Sequence, residues 1–332
     1  MSEFSVPTMY SSVCDGVVFG VYDAALDEAG CAEAHILVGD STEPFAVKRY
    51  YGYPFFDVDV TPYARMMMSL RPSVGSVELR NDFERTAIMS VRVGDEQSEK
   101  VIISAAAQRP PLNTLLSEMD ERVIAQGEYD EIAFITDQAD IWSEVTVRES
   151  TGRSYSWRSA VFSPNGRVTT YGVSATRVVV QAKARGGIDP DKVTDFDISI
   201  LLGAENPIVV HYTLIPPRVG TRVMWLNRFG SFESFTFSGV VHRSLKVERS
   251  ASDLRPISSA EYHVGVVSGV QPSHVVEWLS EIYTSPSVWI VDDTLATECR
   301  VLNPEVKLYD RDLPTSLGVT LAYECKPLAQ RV

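Results

Sequence analysis

Between Thr221 and Phe237, TRVMWLNRFGSFESFTF, five aromatic side chains (Trp225, Phe229, Phe232, Phe235 and Phe237) fall within thirteen positions. Val223 and Trp225 alternate with Arg222, Met224 and Leu226 at the period of a strand, and Phe235 and Phe237 repeat that period on the return run. Asn227 to Ser231 carries the turn between them, because Gly230 accepts a positive φ and Asn227 can bond locally. A lone hairpin cannot hide this much aromatic surface. The stretch therefore predicts a β-hairpin packed against a second sheet or a neighbouring chain. Its rings are expected in a sandwich core, with an exposed aromatic contact surface as the alternative.

The same residues carry a resemblance. The pattern W-x-N-R-x-G-x-x-x-x-F-x-F, met here by Trp225, Asn227, Arg228, Gly230, Phe235 and Phe237, resembles a hairpin phrase of tail and tail-attachment proteins in bacteriophages and prophages, particularly those of Bacteroides-type hosts. Ser231 stands where that group commonly has a second glycine. A C-terminal helix followed by SPSVWIVDD and a last strand ending in YECK looks like the closing part of the same proteins. The resemblance implies a structural protein of the virion, in the tail, tail tip or connector region, assembled in the host cytoplasm. It implies no catalytic role for the phrase.

Length allows two or three domains: the chain has 332 residues, of which 45% are hydrophobic, enough for substantial cores. A formal net charge of −14 argues against an extended nucleic-acid contact, which needs clustered Lys and Arg. The N-terminus lacks a charged and then apolar leader, and no apolar run is long enough for a spanning helix. Cys14, Cys31, Cys299 and Cys325 form no CxxC and read as reduced thiols. Cys14 with Cys31, or Cys299 with Cys325, would be the pairings open to adjacent strands.

Short alternating runs dominate. Val17–Tyr22, Ala34–Val38, Pro44–Tyr50 and Phe55–Val60, then Ser76–Leu79, Thr86–Val93 and Lys100–Ala107, predict a first β-domain over 1–108. Pro110 and Pro111 form a stiff connection. Leu112, Leu115, Leu116, Met119 and Val123 have helical spacing and predict a helix over Leu112–Ala125. Strands resume at Asp130–Ile135, Trp142–Arg148, Ser154–Ser159 and Arg167–Tyr171, with Asn165-Gly166 as a hairpin-type turn. Arg177–Ala182, Thr194–Leu201 and Pro207–Ile215 complete a central sandwich-like domain over 109–250 that includes the aromatic hairpin. Residues 251–332 predict a small α+β domain: Tyr262–Val267, a helix from Pro272 to Thr284, then Val288–Val291, Cys299–Leu302, Glu305–Leu308 and Thr320–Tyr323. The fold class is mainly β.

Reactive constellations are scarce. His35, His211, His242, His263 and His274 belong to no metal-binding spacing, so neither a metal nor a cofactor is expected. Asp189, Asp191, Asp195 and Asp197 alternate as calcium ligands can, but the EF-hand glycine and terminal glutamate are missing, and Asp195 and Asp197 fit the outer face of a strand. Asp292 and Asp293 read as a solvated turn. Gly172 to Thr176 lacks the last glycine of a nucleophile elbow, and no phosphate-binding glycine motif follows a strand. Glu233, beside Phe232, is the first glutamate to inspect for sugar hydrolysis.

Consecutive β-domains with many strand edges fit a non-enzymatic chain that works by presenting surfaces, as a homo-oligomer among other virion proteins. Trp225, Arg228, Phe229 and Phe232 are the contact or hairpin-shaping candidates. A carbohydrate-binding module or adhesin is the alternative, with Tyr50, Tyr51 and Tyr53 as stacking residues for a host surface glycan. A polysaccharide-degrading enzyme is a third reading.

Overall fold

The computed structural model describes residues 2–23, 30–75, 77–203, 206–217, 220–239, 242–250, 257–292, 294–302 and 315–324. The chain is mainly β, and its described residues form five sheets. Ser2–Ser5, Val18–Asp23 and Phe55–Asp59 make a three-stranded antiparallel sheet. It faces a six-stranded sheet built from Tyr10–Ser12, Val101–Ser104, Thr86–Val93, Cys31–Val38 and Ala46–Tyr51, with Glu96–Gln97 folded back on Thr86–Val93. Alternation puts Phe19, Val21 and Val58 of one sheet against Ala34, Ile36, Met89 and Val91 of the other, the packing of a sandwich.

A second pair of sheets lies beyond it. Thr114–Leu115, Tyr129–Ile135, Thr169–Ser174 and Leu79–Asn81 form one; Glu121–Ala125, Ile208–Ile215, Val193–Leu201, Trp142–Glu149 and Ser154–Arg158 form the other. Their shared core includes Ile132, Phe134, Val145, Val173, Phe196 and Ile198. Leu79–Asn81, placed by its position in the 1–108 segment, pairs with Thr169–Tyr171 of the central sheet, so the chain crosses between the two sandwiches before residue 108.

The third assembly is a seven-stranded sheet in the order Phe232–Phe237, Thr221–Leu226, Val288–Val291, Ala296–Val301, Gly318–Glu324, Ile257–Val267 and His242–Ser250. The aromatic hairpin thus pairs with Val288–Val291 and belongs to the C-terminal sheet, not to the central sandwich in which its sequence position placed it. Helix α3, Ser273–Ser280, lies on this sheet through Val276 and Leu279. It follows two helices introduced earlier in the chain, α1 at Thr61–Met67 and α2 at Ala175–Gly186.

Two expected elements differ. Leu112–Ala125 is no helix: it holds the short strands Thr114–Leu115 and Glu121–Ala125, with Asn113 at φ 59° between the connection and the first of them. The second strand has period two, burying Arg122 and Ile124 while Val123 is 50% exposed. Helical spacing of the leucines arose from a bend, closed where Ser117 Oγ accepts from the Met119 amide. Conversely Arg177–Ala182, expected as a strand from three consecutive valines, is the body of α2. Its termini decide the matter: Ser174 Oγ accepts from the Arg177 amide, and Gly187 closes the C-terminus at φ 63°, so capping outweighs β-branched propensity. Ser174→Ala should cost about 1 kcal/mol, read as a drop in denaturation midpoint at unchanged denaturant slope.

The Asn165-Gly166 turn has φ 54° and 68°, but its flanking strands join different sheets rather than one hairpin. Cys14, Cys31 and Cys299 are free thiols. Cys325, Asp293 and the strand expected at Glu305–Leu308 lie outside the described residues. No helix among the described residues is long and apolar enough to cross a membrane.

Candidate functional site: a buried charge network under the aromatic hairpin

The turn of the hairpin is held almost entirely by Asn227. Its Oδ1 accepts from the amides of Phe229 and Ser231, both at 3.0 Å, while its Nδ2 donates to Leu116 O and Glu233 Oε1, both at 2.8 Å. Every hydrogen-bonding capacity of this buried amide is thereby used. The carbonyl of Arg228 accepts from the amides of Ala107 and Gln108, which ties the turn to the end of the first sandwich. Gly230, at φ 77°, sits so close that a Cβ there would lie 2.8 Å from the Ala106 nitrogen.

Of the contact or hairpin-shaping candidates, the aromatic ones are mostly interior. Trp225, Phe232 and Phe237 have no exposed surface. Trp225 packs on Trp278 of α3 at 4.9 Å, and Phe235 meets both Phe237 and Trp278 edge-on. Phe229 is half-buried against Tyr10, Ile102 and Leu116. Arg228 alone is exposed, pairing with Glu118 and lying 3.9 Å from Glu281. The hairpin is therefore an interface inside the chain.

Beneath it runs a set of buried ions, of which the sequence singles out Glu233 alone. Asp130 and Glu131 are adjacent on a strand whose seven residues are all buried, so they point to opposite faces. On one face Asp130 Oδ2 accepts from Arg122 and from the Tyr212 hydroxyl, each at 3.0 Å, and Oδ1 from Ser234 Oγ at 2.5 Å. On the other, Glu131 receives Arg85 at 2.5 Å and Arg80 at 3.0 Å. Arg222 donates to Tyr129 O, Glu128, Thr236 and Ser234, and Arg122 lies 3.3 Å from Glu233. Arg85 also bonds Asp82 at 2.6 Å, reaches the Gly230 carbonyl at 3.4 Å and lies over the Phe232 ring at 4.9 Å. One guanidinium thus touches both sandwiches and the C-terminal sheet.

The same burial acts differently on the acids. It pushes the Glu131 and Glu233 carboxyls above the ordinary value, because Arg85 and Arg122 compensate only part of the lost hydration. It opposes ionisation of Asp130 as well, yet Arg122 and Arg222 outweigh it and hold that group below the usual range. The Tyr212 phenol is raised by burial and by Asp130. A raised glutamate stabilises the fold below its unfolded value of 4.5 and loses that contribution as pH rises through its folded value. Asp130 behaves oppositely, contributing above 3.8 and losing it in acid. Glu233→Gln should consequently gain stability relative to wild type as pH rises from about 4 to about 8. Denaturation midpoints across that range check it, and a constant or narrowing gap in the variant's favour would contradict the assignment.

This arrangement makes no cleft. Asp130, Glu131 and Glu233 have no exposed surface, so Glu233, singled out for sugar hydrolysis, has no path to a polymer. A cavity of about 200 Å³ between Gly127, Glu128, Gly220, Arg222 and Asp292 reaches only the rim, where Arg222 is already saturated.

The acidic run in the central sandwich does not form a metal set. Arg148 pairs with both Asp195 and Asp197, His211 Nδ1 lies 2.7 Å from Asp197, and Asp189 binds Lys192 at 2.9 Å. Asp191 is exposed beside them. Of the calcium candidates, Asp189, Asp195 and Asp197 are thus paired with side-chain cations, and no metal-binding group of three His, Cys, Asp or Glu occurs among the described residues. Asp292 accepts from the Thr294 and Leu295 amides as a turn residue.

The tyrosines of the first sandwich divide. Tyr50 stacks on Phe56 at 4.3 Å and donates its hydroxyl to Asp57 O. Tyr51 and Tyr53 are 66% and 76% exposed.

No protein-family model matches the chain, and no curated protein is significantly similar to it in sequence. A solved structure that resembles it, a crystal structure of chicken TCR, is 9% identical, covers 64% of this chain and 88% of that one, and gives a TM-score of 0.19. At that score the likeness carries no information on function.

Proposed function

We propose that this chain is a non-enzymatic structural component of a phage or prophage virion, in the tail, tail tip or connector region, acting by protein-protein assembly. The observation that carries the reading is where its ionic chemistry lies. Arg85, Arg122, Arg222, Asp130, Glu131 and Glu233 are sealed between three sheet assemblies and join them, and the phrase that resembles phage tail proteins is the hairpin closing this joint. Asn227 and Gly230 of that phrase are the residues its docking geometry requires. A chain stiffened in this way suits the transmission of load between neighbours, and its free strand edges suit pairing with other chains. Immunogold labelling of particles released by the producing host, with antibody raised to the purified chain, tests it. Label on a fixed position of the particle is expected; particles free of the protein would end the reading.

A glycan-binding role is the second reading, favoured by the exposure of Tyr51 and Tyr53 on the first sandwich. Glycan-array binding that disappears in a Tyr51→Ala, Tyr53→Ala variant supports it over assembly.

A further inference from the structure

The outer face of the three-stranded sheet carries a notch. Across it, Glu3 stands opposite Tyr22 and Tyr22 opposite Phe55, while the next row reads Ser5, Gly20, Asp57. Gly20 has no side chain to fill the middle of that row, where a Cβ would come 3.3 Å from Ser5 Cβ and 3.8 Å from Asp57 Oδ1. The result is an open cavity of about 310 Å³. One wall is aromatic: Tyr22 and Phe55 lie 4.5 Å apart, and Phe55 is 71% exposed. The Glu3 and Asp57 side chains are exposed, and neither makes a hydrogen bond or ion pair with a described residue. Two unpaired carboxylates beside aromatic rings suit a cation flanked by apolar surface.

A surface of that description stands on the C-terminal sheet. His242–Ser250 is its edge strand, paired among the described residues only with Ile257–Val267. Among the described residues the neighbouring strand Gly318–Glu324 reaches along Ile257–Val267 only from Glu261 onward, leaving the distal part of the hairpin paired as two strands there. Arg243, Leu245 and Val247 share one face by alternation. Arg243 is opposite Val264, which is buried in the core, so this face continues the core face outward beyond its cover. Leu245 and Val247 are 50% and 47% exposed, and Arg243 is exposed with no hydrogen bond or ion pair to a described residue. A long edge strand of this kind is a template for association.

We infer that copies of this chain associate head to tail, the Arg243, Leu245 and Val247 face of one copy seating in the Gly20 notch of the next. Arg243 enters between Glu3 and Asp57, and the two aliphatic side chains cover Tyr22 and Phe55. Charge complementarity selects this occupant: in a chain of net charge −14, the hairpin offers an unpaired cation flanked by apolar side chains, and the notch lacks those groups. Because the two surfaces differ, the contact is heterologous and builds a ring or an open filament. The inference rests on the assembly reading above and names its partner as a second copy.

Sedimentation of the purified full chain over a concentration series tests it. Wild type is expected to grow in mass with concentration. Arg243→Glu and Asp57→Arg, both at exposed positions, should each weaken association by about tenfold or more through like-charge contact. The decisive samples are the double variant and an equimolar mixture of the two single variants, since each restores opposite charges across every contact. Both should associate again. A wild type that stays monomeric, single variants that associate normally, or a mixture without rescue would overturn the contact. Any of these can coexist with gold-labelled particles, in which case the chain is a virion component that binds another protein.

Discussion

Replacing Arg85 with alanine should destabilise the protein by about 3–5 kcal/mol, the usual consequence of removing one member of a buried ion pair. The loss has two sources. Glu131, already reluctant to ionise, is left with Arg80 alone, and Asp82 loses its guanidinium. Since the same side chain reaches the Gly230 carbonyl and the Phe232 ring, its removal also loosens the contact among the three sheet assemblies. Wild-type denaturation curves followed by tryptophan fluorescence and by far-ultraviolet circular dichroism should coincide. In Arg85→Ala they should separate, because the C-terminal sheet can then open before the sandwiches. Arg85→Lys should recover little, as an ammonium cannot bond Asp82 and Glu131 with a planar fork. A loss below about 1 kcal/mol with coincident curves would show that burial of apolar surface alone holds the joint.

Much of this architecture was legible in the chain because most strands obey a period of two. Val18–Asp23, Thr86–Val93 and Val193–Leu201 emerge where alternation placed them. What was not legible is where each strand goes. Alternation says that Trp225 is covered, but not that its cover is Trp278 of α3 rather than the preceding sandwich. The charge network was hidden for a related reason. Arg122 has helical neighbours in sequence, and Arg222 looks like the polar face of a ribbon, yet both are buried. The one signal was the pair Asp130-Glu131 inside the otherwise apolar run YDEIAFI, where adjacent charges in a covered strand demand a cation on each face.

Gly230→Ala is expected to be comparably costly, about 2–6 kcal/mol. A φ of 77° is strained for alanine, and the added methyl meets main-chain atoms of Ala106 that cannot swing aside; the two contributions are each about 1–3 kcal/mol. Gly152→Ala separates them. That residue has φ 84° with nothing within 4 Å of its Cβ, so only the backbone conformation is penalised, about 1–2 kcal/mol. Thermal or denaturant midpoints of the two variants should differ by the cost of the collision with Ala106. Equal losses would mean that the turn is free to lift from the first sandwich without consequence.

Besides Asp82, three residues away, Arg85 finds its partners far along the chain, Glu131 at a separation of 46 residues and Gly230 at 145. During synthesis, the segment that carries it leaves the ribosome long before residue 230 exists, with only Asp82 of its partners at hand. The strand Leu79–Asn81 waits likewise for Thr169–Tyr171. The joint, rather than the first sandwich, whose strands all lie between Ser2 and Ser104, is therefore timed by the arrival of the hairpin, and a nascent chain halted short of it should be cut more readily around Arg85 than the full chain is.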